Sequence, residues 1–171
     1  EEVMIGAWKS SARAAKRENY VNNHEKARLS DSKDVRLDNK AARAASMQGQ
    51  ADDKPGRKLK NPVYHISLDF AHEDTPKLTD GLMAEIAREY MKRMGIVNTQ
   101  YLVCRLLLEK KKHLHILANR VYNDGNNIRD RNDDRRNVEE CNALTMEYGR
   151  PFYQSKVNVK RDRLRGSYND K

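Results

Sequence analysis

The chain has 171 residues and a formal net charge of +9, with 35% charged and 37% hydrophobic residues. That length suits one domain with a real core, and the basic excess, although spread over the whole chain, favours a polyanion such as nucleic acid as a partner. No apolar run approaches the roughly 18 residues that cross a bilayer, and the two cysteines form neither a disulfide framework nor a metal-binding pattern. We therefore expect a cytoplasmic protein without membrane insertion.

The first third of the chain predicts two regular elements and then a polar connector. The alternating run VMIGAWK, residues 3–9, is typical of a strand, and the serines that follow it can cap a helix through ARAAKRENYVNN, residues 12–23. Residues 24–60 are polar and alanine-rich. They predict a mobile connector that contains one helix, DNKAARAASMQ, and one loop, DDKPGRK.

The rest of the chain predicts alternating strands and helices. NPVYHISLDF, residues 61–70, indicates a strand, and apolar residues at every fourth position from Leu78 to Met94 indicate a helix from Thr79 that stops at Gly95. TQYLVCRLLLE and HLHILANRVYN predict two strands joined by a basic KKK turn, and the second runs into the turn sequence NDG. A last helix over 133–148 precedes a basic, loosely ordered tail. The predicted fold class is α+β, with a central antiparallel sheet that carries the His-x-His strand and helices packed on it.

Two histidines lie one residue apart in the run KKKHLHILANRV. Because alternate side chains of a strand share a face, His113, His115 and Asn119 are predicted to point the same way. Partly exposed residues on an open sheet face are the simpler interpretation of any such pair. Here Glu109 precedes His113 by four residues, so a carboxylate and two imidazoles could converge on one divalent cation. This ligand set accommodates Mn²⁺ or Mg²⁺ and would also accept Zn²⁺.

HLHILANR resembles the His-hydrophobic-His motif of plasmid mobilization relaxases, and further runs match that family in the same order. These runs are NPVYHISLDF, LTDGLMAEIAREYMKRMGI, TQYLVCRLLLE, ANRVYNDGNNIRDRND and VNVKRDRLRG. The chain is similar to the relaxase/mobilization nuclease domain typified by the Agrobacterium T-DNA endonuclease and by Bacteroides mobilizable elements. The resemblance implies a nuclease domain over residues 1–155 and a basic tail, 156–171, that begins a segment truncated in this chain.

The resemblance also implies an activity and its partners. Such a relaxase nicks one strand at the nic site of a transfer origin by metal-dependent tyrosine transesterification, which leaves a 5′-phosphotyrosyl intermediate for conjugative mobilization. Its partners would be single-stranded origin DNA, accessory mobilization proteins and the coupling protein of a type IV secretion system. Two alternatives stay open: a rolling-circle replication initiator of the same endonuclease class, and an origin-binding module whose catalysis is weakened.

Site residues are carried over from the family position by position. Tyr20 occupies the place of the nucleophile, and His113 and His115 match two metal ligands. The family's R-H-x-D ahead of the histidine pair is missing, because Leu106 and Leu108 stand at those positions, and Glu109 is the expected replacement ligand. Residues expected in DNA binding or behind the metal ligands are His65, Asn119, Arg120, Lys16, Arg17, Lys110, Lys111 and Lys112, with Asp69 as a further candidate behind the ligands.

Overall fold

The computed structural model describes residues 27–60, 62–70, 78–106, 113–129, 132–148 and 158–162, the last of these as backbone alone. Five strands within these ranges form one sheet: β1 (Ala27–Lys33), β2 (Val63–Asp69), β3 (Tyr101–Leu106), β4 (His113–Asn119) and β5 (Asn158–Asp162). Their order is β1-β3-β4-β2-β5, and every neighbouring pair is antiparallel. The predicted α+β fold, with the His-x-His strand inside an antiparallel sheet, is confirmed. The strand and helix predicted for residues 3–23 lie outside the described residues.

Three helices are described: α1 (Lys40–Asp52), α2 (Asp80–Arg93) and α3 (Asp133–Glu147). The first begins where the Asn39 side chain accepts the backbone N–H of Ala42 at 2.9 Å. The second begins where Thr79 does the same for Leu82 at 3.1 Å. All three lie where the sequence predicts helices. Among them, none combines the length and the apolar character needed to span a bilayer.

Helix α2 ends at Arg93, and the cap that follows it lies at Gly95, where the sequence predicts the stop. Gly95 has a φ of +77°, in the left-handed region that favours glycine. Its N–H donates to the carbonyl of Lys92 at 3.1 Å, and the N–H of Ile96 donates to the carbonyl of Met91 at 2.8 Å. These two bonds form a Schellman cap, which satisfies carbonyls that the helix itself leaves unpaired. The cap then turns the chain towards β3.

The sheet separates two apolar cores. Helices α2 and α3 cover one face, where their buried residues pack on alternate residues of β2, β3 and β4. Helix α1 covers part of the other face through a smaller core: Met47, Val63, Leu102 and Leu117, with Val35 and Ala44 packed against it. Strand β4 lies in the middle of the sheet, and all seven of its residues are buried.

Strand β1 corrects the prediction of a mobile connector over residues 24–60. It pairs with β3 along its whole length, with a bulge between Leu29 and Asp31. The Asp31 carboxylate accepts hydrogen bonds from Arg88 of α2 and from the Tyr101 hydroxyl, each at 3.1 Å. In the sequence ARLSDSK, apolar alternation is limited to Ala27 and Leu29. Its strand conformation therefore depends on tertiary partners, which the local pattern does not contain.

Strand β5 corrects the prediction of a loosely ordered tail for five of its residues. The backbone of Asn158–Asp162 pairs antiparallel with β2, from Ser67 opposite Asn158 to Val63 opposite Asp162. These residues lie beyond the domain boundary predicted at residue 155. The sheet thus extends past that boundary, while the boundary itself stays a prediction.

The sequence NDG turns the chain after β4, as predicted. Gly125 has a φ of +86°, and the N–H of Tyr122 donates to the carbonyl of Asn126 at 2.7 Å across the turn. Val121 and Asn127 form an isolated antiparallel bridge on either side of it. The strand itself ends earlier than predicted, at Asn119.

The side chain of Asn119 ties α1 to the end of β4. Its amide nitrogen donates to the carbonyl of Met47 in α1 at 2.9 Å and to the Gln100 side-chain oxygen at 3.1 Å. Its amide oxygen accepts the N–H of Val121 at 3.0 Å. Gln100 in turn donates to the carbonyl of Asp34 at 2.9 Å. The fully buried Asn119 side chain therefore joins three segments of the chain.

We expect Asn119→Ala to lower the free energy of unfolding by about 1–3 kcal/mol, because it leaves buried hydrogen-bonding groups without partners. Urea denaturation followed by circular dichroism measures this. Asn123→Ala is the matched control, because Asn123 is exposed and, among the described residues, its side chain makes one hydrogen bond, to Asp34 at 3.3 Å. The control should change stability by less than about 0.5 kcal/mol. Equal losses in the two variants would contradict the structural role of Asn119.

Candidate functional site

The pairing of β2 with β4 brings three histidines to one face of the sheet. In this register Asp69 lies opposite His113, Ser67 opposite His115, and His65 opposite Leu117. Residues directly opposite each other in an antiparallel pair share a face, and diagonal neighbours on that face are within reach of ring side chains. His65 is therefore the diagonal neighbour of His115. As predicted, His113 and His115 lie on the same face of the sheet, at the N-terminal end of β4.

The three imidazoles are in mutual contact. Nε2 of His65 lies 3.3 Å from Nδ1 of His115, a hydrogen-bond distance, and the two ring centroids are 5.5 Å apart. The rings of His113 and His115 meet edge to face, with centroids 4.8 Å apart and planes at 78°. His115 thus stands between the other two rings. It is the central member of this histidine cluster, which we define as His65, His113 and His115.

All three histidines are buried, with exposed fractions of 3% for His65, 4% for His113 and 2% for His115. This excludes the simpler interpretation of partly exposed residues on an open face. Burial, and after it the charges that His113 and His65 would carry, lower the pKa of His115 to about 3. His115 is consequently a neutral imidazole at physiological pH. A neutral imidazole can bind a metal ion through one nitrogen while it donates a hydrogen bond from the other.

Nε2 of His115 is buried and has no hydrogen-bond partner within the part of the chain that the structure describes. A buried polar atom normally has a partner, so this nitrogen is a candidate ligand atom for a divalent cation. Imidazole nitrogen suits such an ion chemically. Among the described residues, however, no group of three or more His, Cys, Asp or Glu side chains is arranged to hold a metal ion. The cluster therefore fits part of a ligand set, and further ligands would have to come from other residues or from water.

Two neighbours of His115 were not singled out as site residues from the sequence. Ser67 lies opposite it on β2, and Cys104 lies opposite it on β3. Burial raises the pKa of the Cys104 thiol to about 11, so the thiol stays protonated and is a poor metal ligand. Alternation along a strand predicts which face a residue occupies but not which residue of the next strand lies beside it. The sequence therefore carried no signal that Ser67 and Cys104 lie beside His115.

Asp69 is the acidic side chain that the register places nearest to His113. It lies directly across from that histidine on β2 and is half-buried. The sequence predicts a place for it behind the ligands, and the pairing is compatible with that place. On β3, Arg105 pairs with Leu114, so Leu106 comes next to His113 in the same register. Leu106 stands where the relaxase pattern has a histidine, so this position lies at the same end of the sheet as His113 but carries a leucine.

Asn119 and Arg120 are placed away from the histidine cluster. Asn119 shares the histidines' face, yet its side-chain hydrogen bonds go to Met47, Gln100 and Val121. Arg120 is 6% exposed, and its guanidinium lies over the Tyr64 ring, 5.2 Å from the centroid. Tyr64 belongs to the core on the opposite face of the sheet. Both side chains therefore support the fold, and a role of either at DNA or behind a metal ligand stays a prediction.

The remaining predicted site residues lie outside the described parts of the chain. Tyr20, Lys16 and Arg17 precede residue 27, and Glu109 with the lysines at 110–112 falls in the segment between β3 and β4. The structure thus brings together His65, His113 and His115. The predicted nucleophile and the predicted third ligand stay predictions.

Comparison with known proteins identifies a family. The family model for relaxases, described as MobA/VirD2-like, nuclease domain, matches residues 20–150 of the 171-residue chain. The match spans the cluster of three histidines and both strands that carry it. No curated protein and no solved structure matches the chain.

We expect His115 to stay neutral as the pH falls well below 6.5. Between pH 6.5, the ordinary pKa, and about 3, the folded pKa, the unfolded chain binds a proton at this position that the folded chain does not. The free energy of unfolding should therefore fall as the pH is lowered through that window. Titration of the imidazole ¹⁵N resonances measures the protonation directly. In His115→Gln, unfolding should depend less on pH over the same range. A His115 that titrates near 6.5 would contradict the burial of its charge.

Proposed function

The chain belongs to the MobA/VirD2-like relaxase family, whose nuclease domain spans most of it, and is on that basis a DNA-nicking nuclease. From this premise we propose a more specific activity. The protein cuts one strand at the nic site of a transfer origin by tyrosine transesterification, for conjugative mobilization of a plasmid or an integrated element. The histidine cluster on one sheet face, inside the part of the chain that matches the family, is the observation that carries the proposal.

In the proposed reaction Tyr20 is the nucleophile. Its phenolic oxygen forms a bond to the scissile phosphorus while the bond from phosphorus to the 3′-oxygen breaks. The phenolic proton leaves, and the departing 3′-oxygen gains a proton, so the products are a 5′-phosphotyrosyl bond and a free 3′-hydroxyl. No water is consumed. The reverse reaction can therefore rejoin the strand after transfer, which hydrolysis would not permit.

Relaxase nuclease domains are in general metal-dependent, and the cluster fits part of a site for a divalent ion. His115, with its buried Nε2, and His113 beside it would hold Mn²⁺ or Mg²⁺, with Glu109 as the proposed third ligand. The bound ion would supply Lewis-acid stabilisation of the charge that develops on the phosphate. The protein's own contribution is to keep the His115 imidazole neutral and to hold both histidines on a central strand.

The basic residues near the proposed site suit a single-stranded DNA substrate. Lys16 and Arg17 lie about one helical turn before Tyr20 in sequence, and Lys110, Lys111 and Lys112 directly precede His113. Cations in such places can hold backbone phosphates. We further propose that accessory mobilization proteins and the coupling protein of a type IV secretion system bring the protein to its origin in the bacterial cytoplasm.

A second candidate function is an origin-binding module with weakened catalysis. Leucines at 106 and 108 replace the histidine and aspartate of the family pattern, so a ligand and its orienting group are lost. In the described residues no complete group of metal-binding side chains compensates for them. A site of two histidines and water would bind metal weakly. Such a protein would still bind origin DNA but would nick it slowly or not at all.

Tyr20→Phe tests the nucleophile, because it removes one oxygen and keeps the ring. We expect DNA binding to be retained and the covalent protein–DNA adduct, seen on a denaturing gel with an origin oligonucleotide and Mn²⁺, to disappear. Tyr101→Phe is the control: the Tyr101 hydroxyl bonds to Asp31 at the edge of the sheet, so its loss should leave the adduct. Mapping the nucleotide to any residue other than Tyr20 would show that another group attacks.

His113→Gln and His115→Gln test the metal site with little change in side-chain volume. Because both side chains are buried, glutamine is a better replacement than alanine, which would leave a cavity. We expect each variant to stay folded by circular dichroism, to bind Mn²⁺ at least tenfold more weakly in calorimetry, and to lose the adduct. If wild type binds origin DNA but forms no adduct at any Mn²⁺ concentration, the binding-module alternative is correct. A variant that nicks as fast as wild type would exclude its histidine as a ligand.

A further inference from the structure

We propose that His65 is a positioning residue for His115: its Nε2 accepts a hydrogen bond from Nδ1–H of His115 and thereby leaves Nε2 of His115 as the metal-binding atom. The inference rests on the proposed function and deepens it, since it names the atom that binds and the residue that selects it. The sequence alone predicts that His65 is near the site. It does not predict which nitrogen of either ring is used.

The observation behind the proposal is the contact between the two rings. Nε2 of His65 and Nδ1 of His115 are 3.3 Å apart, and both rings are at least nine-tenths buried. At this distance one ring nitrogen carries the proton and donates it, and the other accepts with its lone pair, because two lone pairs or two N–H groups would repel each other. Burial removes most of the competition from water. The contact therefore constrains both rings to complementary tautomers.

Only one of the two possible arrangements leaves His115 ready to bind a metal ion. If Nδ1 of His115 carries the proton, its Nε2 presents a lone pair, and this Nε2 is buried without a hydrogen-bond partner among the described residues. If Nδ1 were the acceptor, Nε2 of the neutral ring would carry the proton and would have no lone pair for a metal ion. The first arrangement also follows the usual pattern of metal-binding histidines, which donate their other N–H to a fixed acceptor.

The sheet fixes the acceptor in place. His65 and His115 lie on β2 and β4, which are paired over seven residues from Val63 opposite Asn119 to Asp69 opposite His113. Both strands lie between other strands, with β5 beside β2 and β3 beside β4. Neither strand can move far without breaking ladder hydrogen bonds on both sides, so the backbone positions of the two histidines are fixed. Burial of both rings restricts their rotamers, as a positioning role requires.

The first test uses the wild-type chain and needs no substitution. Long-range ¹H–¹⁵N correlation spectra of the imidazoles assign the proton of each neutral ring to Nδ1 or Nε2. We expect His115 to be the Nδ1–H tautomer in the metal-free protein. In the protein loaded with Zn²⁺, as a diamagnetic probe, we expect the ¹⁵N shift of coordination at Nε2 of His115. A proton on Nε2 of His115, or coordination through its Nδ1, would overturn the proposal.

The second test compares two substitutions of His65. His65→Leu removes the acceptor and should weaken Mn²⁺ binding about 10- to 100-fold in calorimetry, with loss of the preference for the Nδ1–H tautomer of His115. His65→Gln offers an amide oxygen near the position of Nε2 and should restore most of the affinity and the tautomer. Unchanged Mn²⁺ affinity in His65→Leu, or glutamine no better than leucine, would count against a positioning role.

Thr99→Val is the matched control for the loss of a buried hydrogen-bonding side chain. The Thr99 hydroxyl donates to the carbonyls of Asn119 and Val121, each at 2.8 Å, at the other end of β4 from the histidines. It should destabilise the fold without changing Mn²⁺ affinity or the tautomer of His115. An equal loss of Mn²⁺ affinity in this control would show that His65→Leu acts through general destabilisation, and the proposal would fail.

The outcomes separate this inference from the proposed function. If the wild-type chain forms no covalent adduct with origin DNA, but the tautomer and the Mn²⁺ affinities behave as expected, the role of His65 stands and the nicking proposal fails. If the adduct forms normally in His65→Leu with wild-type Mn²⁺ affinity, nicking stands and the role of His65 fails. Absence of any Mn²⁺ binding by the wild-type chain would overturn both.

Discussion

The pairing of β2 with β4 is the interaction on which the rest of the structure depends. It sets His65 diagonal to His115 and places Asp69 across from His113. A slip of one residue would send one strand's whole set of side chains to the other face of the sheet. The histidines of β4 would then lose His65, and one apolar core would receive polar residues. The apolar packing on both faces therefore specifies the register, and the register in turn assembles the histidine cluster.

The sequence predicted this fold where a local pattern encodes the element. Apolar residues at every fourth position, with caps at Thr79 and Gly95, predicted α2. The alternation of side chains along a strand predicted that His113 and His115 share a face. Local patterns failed where partners elsewhere in the chain decide the outcome. Strand β1 has almost no apolar residues and is held by β3 and α2, and the backbone of β5 adds to an edge that only the folded sheet presents.

In the candidate site, too, local patterns predicted some features, and others depend on distant parts of the chain. Residue types and spacing predicted two of the three clustered histidines as ligands, and similarity to a family added the third as a neighbour. Burial was not predictable, because two histidines in a strand are equally compatible with an exposed face. Nor were the contacts of Asn119 and Arg120 predictable, since a buried amide and a buried guanidinium look the same in sequence as exposed ones. Their partners, a helix carbonyl and a tyrosine ring, come from distant segments.

The central place of β4 has a consequence for the dynamics of the site. Every residue of this strand is buried, and it has a hydrogen-bonded neighbour on each side. Segments of this kind belong to the last cooperative unit of a protein to open, and their amides exchange with solvent mainly through global unfolding. His113 and His115 are therefore carried by a part of the chain that does not fray. Partial unfolding at the edges of the sheet would leave their spacing intact, so the two imidazoles should lose their arrangement only when the whole domain does.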